Sequence, residues 1–176
     1  MSNTLHIIRG LPGTGKSTLV SRKLGNMLQI ENDQYWIDEN GVYKYDANDP
    51  DCRTKCDTYT RNMVRAAMQN KVNVAVSRVG MHLKSIQELV DLAKTYNYNW
   101  KIWLMDENNM RELPGTVHKV PKEAMEFMRN GFVKVLPWEQ TLVTITYTGN
   151  QIDGYHHGYA FKTIGGTEDN IGEAPR

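Results

Sequence analysis

Apolar and polar positions along this chain repeat in two rhythms, and the switches between them mark out strands and helices. Thr4–Arg9 is a compact apolar run that predicts a buried strand; Lys16–Leu24 predicts the helix after it. Leu28–Glu31 reads as a short second strand ending at Asn32 and Asp33, and the stretch NGVYKYD sets the turn dipeptide Asn40-Gly41 among β-type residues. Tyr59, Met63, Val64 and Ala67 recur at helical spacing within Asp51–Asn70. KVNVAVSRVG then predicts a strand ending near Val76-Ser77, followed by a helix from about Lys84 to Tyr96 and the strand NWKIWLM. A further helix is expected in VPKEAMEFMRNGFVKV, with Pro121 in its first turn.

Strands alternating with helices predict an α/β fold, a parallel sheet flanked by helices. Further along, TLVTITYTGN alternates like a strand and YHHGYAFKTIGG can pair with it. That predicts a C-terminal β-hairpin-like extension, which lengthens the sheet or covers an edge. The expected division is a main domain at 1–138, a β-rich extension at 139–165 and a disordered tail at 166–176.

Composition narrows the function classes. The chain has 176 residues, enough for one substantial core, and its 21 Lys+Arg against 20 Asp+Glu leave a net charge of +1. No global field marks a duplex-coating or membrane-coating protein, so any nucleic-acid contact is local. No segment approaches the roughly 18 continuous apolar residues of a membrane span, and no charged region followed by an apolar stretch opens the chain. The expectation is a cytoplasmic protein without a membrane partner. Cys52 and Cys56 stand four apart on one predicted helix face, which fits two reduced structural thiols rather than a redox or zinc pair. His156-His157 do not make a metal site, because neighbours on a strand face opposite ways. Tyr147, Tyr155, Tyr159 and Phe161 are read as packing the extension, with base stacking as the alternative.

The chemistry concentrates in IIRGLPGTGKSTLVSRKL. Gly10-x-x-x-x-Gly15-Lys16-Ser17 matches the P-loop pattern, and it lies between a predicted strand and a predicted helix, as that pattern requires. Glycines let successive N–H groups turn inward on an anion, helped by the positive end of the helix dipole. Leu11, Pro12, Gly13, Thr14, Gly15, Lys16, Ser17 and Thr18 are therefore the expected phosphate-binding residues. Lys16 can follow the β- and γ-phosphates, and the Ser17 hydroxyl can join the shell of a magnesium ion. ATP and Mg²⁺ are the implied cofactors. The alternative is a glycine-rich turn capping a helix.

Motors, switches and kinases all use such a loop. Motors and switches usually add an apolar strand ending in Asp, whereas VAVSRVG ends in Ser77 and Arg78, which favours a small kinase. A kinase needs a base beside the acceptor hydroxyl, and Asp33, closing the second strand, is placed for it. The competing reading makes Asp33 a turn or cap residue. Asp38, Asp46 and Asp49 sit in turn-like surroundings and read as solvated.

GLPGTGKST, ENDQYW, GVYKYD, VAVSRVG, LVDLAKTYNYNWKIWLM and MRELPGTVHKVPKEAMEFMRNGF occur in this order. In order and spacing they resemble the kinase domain of bacteriophage polynucleotide 5′-hydroxyl kinases and the NEDD4-binding-protein-2-like group of small P-loop kinases, over about residues 4–135. The resemblance implies a P-loop NTPase-type fold and an ATP-dependent phosphotransferase whose acceptor is a hydroxyl, most characteristically a polynucleotide 5′ end. For a phage protein, the compartment is the host cytoplasm. It carries the loop lysine and hydroxyl onto Lys16 and Ser17, the base onto Asp33, the arginine leading into a lid onto Arg111, and the opening of the lid helix onto Val120-Pro121. Lys119 and Arg129 are further lid cations. The competing reading of Lys119, Lys122 and Lys134 is an ordinary solvated helix face, expected for at least two of them.

Three positions depart from the family pattern: Trp36 replaces an arginine that meets a substrate phosphate, Ser77-Arg78-Val79-Gly80 replaces a polar loop, and Phe127 and Gly131 stand where many relatives hold Arg. Arg78 can supply the missing phosphate contact, and Tyr35 and Trp36 join the acceptor site, Trp36 either stacking a base or packing in the core. The rival acceptors are a hydroxymethylated base in phage DNA and a small nucleotide. The rival class is an ATP-binding interaction or inhibitor module, in which the Arg78 charge repels magnesium.

Overall fold

The structure is a computed structural model. It describes the backbone of residues 3–42, 44, 46, 48–80, 82–106, 122–132, 142–147, 151–152, 155–156, 159–163 and 168–170, and the side chains up to residue 132 apart from Arg22, Lys23 and Asp33. In chain order the elements are β1 (Thr4–Arg9), α1 (Lys16–Lys23), β2 (Leu28–Glu31), a 3₁₀ turn (Asn32–Trp36), α2 (Cys52–Gln69), β3 (Val74–Arg78), α3 (Leu83–Thr95) and β4 (Asn99–Met105). There follow α4 (Lys122–Gly131), β5 (Leu142–Tyr147), β6 (Gln151–Ile152), β7 (Tyr155–His156), β8 (Tyr159–Thr163) and β9 (Glu168–Asn170).

One sheet runs in the order β2-β3-β1-β4-β5-β8-β9. The pairs β2/β3, β3/β1, β1/β4 and β4/β5 are parallel, whereas β5/β8 and β8/β9 are antiparallel. The α/β class and the strand-rich extension are thus as the pattern predicted. The extension continues the main sheet: β5 lies directly on β4, and β8 returns against it with Val143 opposite Thr163. Within the segment expected to be a disordered tail, Glu168–Asn170 forms β9 on the outer side of β8, with Phe161 opposite Asp169. Alternation there is too short to read from sequence. Gln151–Ile152 and Tyr155–His156 pair separately.

Side chains alternate across the strands and so divide the core in two. Leu5, Ile7, Val74, Val76 and Ile102 pack with Val64, Ala67 and Met68 of α2 and Ile86, Leu89, Val90 and Ala93 of α3. Ile8, Ala75, Trp103 and Met105 pack with Leu19, Val20 and Leu24 of α1. The buried stripe of α2 is Cys52, Cys56, Thr60, Val64 and Ala67. Tyr59 is half-buried and Met63 exposed, so the stripe sits beside the one that aromatic and Met positions suggested. Small side chains let α2 lie close to the sheet. Cys52 and Cys56 are buried free thiols, as expected. Asn40-Gly41 does turn the chain, with Gly41 at φ +77 and its N–H donated to Asp38 O at 2.9 Å. Its flanks exchange single bonds such as Asp38 N–H to Val42 O, without forming a hairpin of strands among the described residues.

On the α1 side of the sheet, Trp103 Nε1 donates to His6 Nδ1 at 2.9 Å. Burial, with Lys101 nearby, lowers the His6 pKa from 6.5 to about 4. Protonating Nδ1 would replace an acceptor with a second donor facing Trp103. Because the folded pKa is depressed, the unfolded chain binds the proton first, and stability is lost as pH falls from about 6.5 towards 4. In a His6→Gln variant, whose side chain can still accept from Trp103, thermal melts over that window are expected to show a shallower fall of Tm than the parent. Equal slopes would remove His6 as the titrating group.

Candidate active site

At the end of β1 the chain enters the loop Gly10–Gly15, and Gly15, at φ +95 and ψ 22, caps α1. Gly13 also has a positive φ, +81. Two left-handed residues this close turn backbone N–H groups toward one side, a concavity that suits an anion. Gly10 is required for a different reason. A Cβ there would lie 2.7 Å from Met105 Cβ and 2.8 Å from Thr14 Oγ1. Thr14 is buried and donates its hydroxyl to Leu11 O at 2.8 Å, which draws the loop closed. Gly10 N–H donates to Val79 O at 3.2 Å, fastening the loop to the end of β3.

Lys16 curls back over this loop, with Nζ 2.9 Å from Gly10 O and 3.0 Å from Leu11 O. Its ammonium is therefore held at the mouth of the concavity. Leu19 N–H makes a helical bond to Gly15 O, so the N–H groups before it in the first turn face the loop side. No acidic residue occupies that turn, and the positive end of the α1 dipole is left for an external anion. Ser17 is exposed there, while Pro12, Gly13 and Thr18 are half-buried and Leu11 buried. The donor set of residues 11–18 fits a polyphosphate, and the Ser17 hydroxyl is accessible to a cation accompanying it. Among the described residues no cluster of His, Cys, Asp or Glu forms a metal site of its own.

Two arginines stand side by side at the ends of β1 and β3, Arg9 opposite Arg78. Arg9 is fully buried, donates Nε to Gly80 O at 3.1 Å, and lies with its guanidinium 4.3 Å from the centre of the Phe132 ring. Burial lowers its pKa to about 10, which still leaves it cationic at neutral pH. Arg78 is only 9% exposed and donates Nη2 to Asp57 Oδ1 at 2.8 Å. Its Nε is buried with no hydrogen-bond partner among the described residues. The charge is thus engaged by a carboxylate on α2 rather than presented bare at the strand end. Gly80, at φ +61, lets the chain pass: a Cβ there would come within 2.9 Å of Arg9 Cβ.

The 3₁₀ turn after β2 brings Asp33 to this end of the sheet. Glu31 and Ile8 both pair with Ser77, so the ends of β2 and β1 are level, with β3 between them. Two strand spacings put the turn about 10 Å from the loop. The Asp33 side chain lies outside the described residues. Its neighbour Asn32 is clamped by α2: Cys56 Sγ donates to Asn32 O at 3.0 Å, and Thr60 Oγ1 donates to Asn32 Oδ1. A reciprocal capping box between Glu31 and Gln34 closes the turn. Tyr35 is 38% exposed, meets Trp36 edge-on at 4.6 Å and lies 5.4 Å from the Tyr59 ring. Trp36 is half-buried, so it is neither free on the surface nor sealed in the core.

Arg111, Lys119, Val120, Pro121 and Lys134 lie outside the described residues, as does His157. Lys122 and Arg129 are on exposed positions of α4, as is Phe127 at 68% exposure. Asp38 and Asp49 bond to backbone N–H groups of their own turns and pair with Lys44 and Lys55. Sequence reasoning missed Arg9, Asp57 and Asp106. Asp106 corrects the expectation that no apolar strand ends in Asp: β4, which pairs with β1, is followed directly by it.

No family model matches the chain. Among solved structures, it is similar to a chain of the Pnkp1/Rnl/Hen1 RNA repair complex, with TM-score 0.58 and 22% identity over 74% of this chain and 44% of that one. It is also similar to a gluconokinase from Sinorhizobium meliloti 1021, with TM-score 0.57 and 16% identity over 82% of each chain. A sugar kinase from Janibacter gives TM-score 0.58 and 14% identity over 82% of this chain and 84% of that one. The chain spans less than half the length of the repair-complex chain it matches. At these identities the likeness shows the fold: a parallel α/β sheet flanked by helices, shared with these kinases.

Gly10→Ala is expected to cost about 3 kcal/mol, because neither Met105 nor Thr14 can withdraw without disturbing the loop. Gly41→Ala, where nothing lies within 4 Å, should cost only the left-handed strain of about 1 kcal/mol. Denaturant melts of the two variants measure the contrast.

Proposed function

We propose that the chain is an ATP-dependent phosphotransferase that moves the γ-phosphate to a hydroxyl, with a polynucleotide 5′-hydroxyl as the acceptor. The observation that carries this reading is the geometry of residues 10–17. Two left-handed glycines, a dipole end free of acids, and Lys16 arched over the loop carbonyls together suit a polyphosphate. Residues 11–18 would hold ATP, and Ser17 the accompanying Mg²⁺, whose charge offsets that of the phosphates. Arg111 and Lys119 are assigned, on the family resemblance, as cations that meet the transferring group.

In the proposed step Asp33 accepts the proton of the acceptor hydroxyl, the freed oxygen forms a bond to the γ-phosphorus, and the bond from that phosphorus to the bridging oxygen of ADP breaks. Tyr35, Trp36 and Arg78 stand at the same end of the sheet and are assigned to the acceptor, Arg78 through the part of its guanidinium that Asp57 leaves unengaged. Pairing of Arg78 with Asp57 weakens the inhibitor-module reading, since the cation that would repel magnesium is neutralised. The likeness to a chain from an RNA repair complex is in keeping with a nucleic-acid acceptor. A small-molecule acceptor, including a nucleotide, is the second reading. It is favoured by the near full-length match to the gluconokinase.

Incubation with γ-labelled ATP and separate 5′-hydroxyl oligonucleotides, hydroxymethylated duplex, nucleotides and sugars distinguishes these readings by which acceptor takes the label. Asp33→Asn is expected to keep ATP affinity within about twofold and to lose turnover by at least about 100-fold. Normal turnover in that variant would overturn the base assignment.

A further inference from the structure

We infer that the outer face of α2 is the track along which a single-stranded acceptor lies, with its first base stacked against the exposed side of the Tyr35–Tyr59 pair, whose rings touch each other at 5.4 Å. This rests on the phosphotransfer reading above and extends it to a surface away from the loop. Tyr35, Asp51, Thr54, Lys55, Thr58, Tyr59 and Asn62 line an open groove of about 510 Å³. Its helical members recur every three or four positions, so they form one stripe, distinct from the buried Cys52/Cys56/Thr60/Val64 stripe.

The chemistry of the stripe is not that of an ordinary solvated face. It presents two tyrosine rings tilted 49° to each other, two threonine hydroxyls and one amide, where a solvated helix usually carries Glu and Lys. Aromatic faces stack bases of any sequence, and short polar side chains bond sugars and phosphates. Charge is complementary as well. Along α2 four cations, Arg53, Lys55, Arg61 and Arg65, outnumber one carboxylate within the helix, Asp57, which is already bound to Arg78, and one at its N-cap, Asp51, which lines the groove. Lys55 pairs with Asp49 and Arg61 with Glu88. Among the described residues Arg65 bonds to the neutral amide of Asn62 in the groove, at 3.3 Å, and meets no carboxylate.

Spacing matches a strand. Tyr35 is two residues past Asp33, so a nucleoside held at Tyr35 and Tyr59 has its sugar toward that turn. From Tyr59 the helix rises about 4.5 Å to Asn62 and about 9 Å to Arg65, so these two side chains bracket the position of the next phosphate. Asp51 lies at the opposite, reacting end. A 5′-hydroxyl end carries no phosphate there for it to repel.

The test is fluorescence anisotropy of a 3′-labelled, single-stranded 5′-hydroxyl oligothymidylate, alongside KM and kcat for its phosphorylation. Tyr59→Ala is expected to weaken binding and raise KM by about 5- to 100-fold while the KM for ATP stays unchanged, and Tyr59→Phe to restore both. Arg65→Glu, on an exposed position, should lower the slope of log affinity against log salt by about one. Anisotropy needs no turnover, so the two readings fail separately. A strand that binds through Tyr59 without being phosphorylated would overturn the acceptor assignment and leave the track standing. A strand that does not bind, or binds Tyr59→Ala and Arg65→Glu as tightly as the parent, would overturn the track.

Discussion

Everything at this end of the molecule depends on how closely the backbone at Gly10 approaches the end of β4. With 2.7 Å between a Cβ at position 10 and that of Met105, only a residue without a side chain lets the loop turn in over the sheet. That approach sets Thr14 where its hydroxyl reaches Leu11 O, and it leaves the Gly10 and Leu11 carbonyls facing Lys16. Without the carbonyls the ammonium would extend into solvent and be far less well placed over the concavity. The loop's cation is thus oriented by the same backbone that shapes the anion site.

The second constraint is the adjacency of Arg9 and Arg78 on neighbouring strands. Like charges at that separation and depth would be costly, and each is compensated in a different way. Arg9 is covered by the Phe132 ring and donates to Gly80 O, so a carbonyl dipole and an aromatic face contribute to its compensation. Arg78 has a full counter-charge in Asp57. The pairing ties the end of β3 to α2, and the ring ties the end of β1 to the chain just after α4. Both contacts flank the loop without lying in it.

Much of this was legible in the sequence, for identifiable reasons. Buried parallel strands are continuous apolar runs, so β1, β3 and β4 stand out, and the loop pattern is fixed in spacing because its geometry is fixed. Of the expected α2 stripe Val64 and Ala67 are buried, whereas Tyr59 and Met63, large and apolar, give way to Cys56 and Thr60 at the sheet. Hydrophobicity alone does not distinguish a wide helix face from a close-packed one. Partners such as Asp57 and Arg78, 21 positions apart, or His6 and Trp103, 97 apart, depend on strand order, which periodicity does not encode. Asp106 was overlooked for the same reason: only the order β3-β1-β4 makes β4 a neighbour of the loop strand.

That strand order also makes α2 the element joining the parts of the site. Within little more than one turn it presents Cys56 and Thr60 to Asn32, Asp57 to Arg78, and Tyr59 to Tyr35. The turn bearing Asp33 and the strand end bearing Arg78 are therefore positioned by one rigid segment rather than by two independent loops. A helix fixed through its buried stripe to β2 and β3 can hold the turn that carries Asp33 at constant distance from the Gly10–Gly15 loop while leaving its outer face free to vary. On the proposed phosphotransfer, residues on that face would bear on which acceptor is received while the buried stripe holds the turn in place. The positions concerned are Thr54, Thr58, Tyr59 and Asn62, which line the groove.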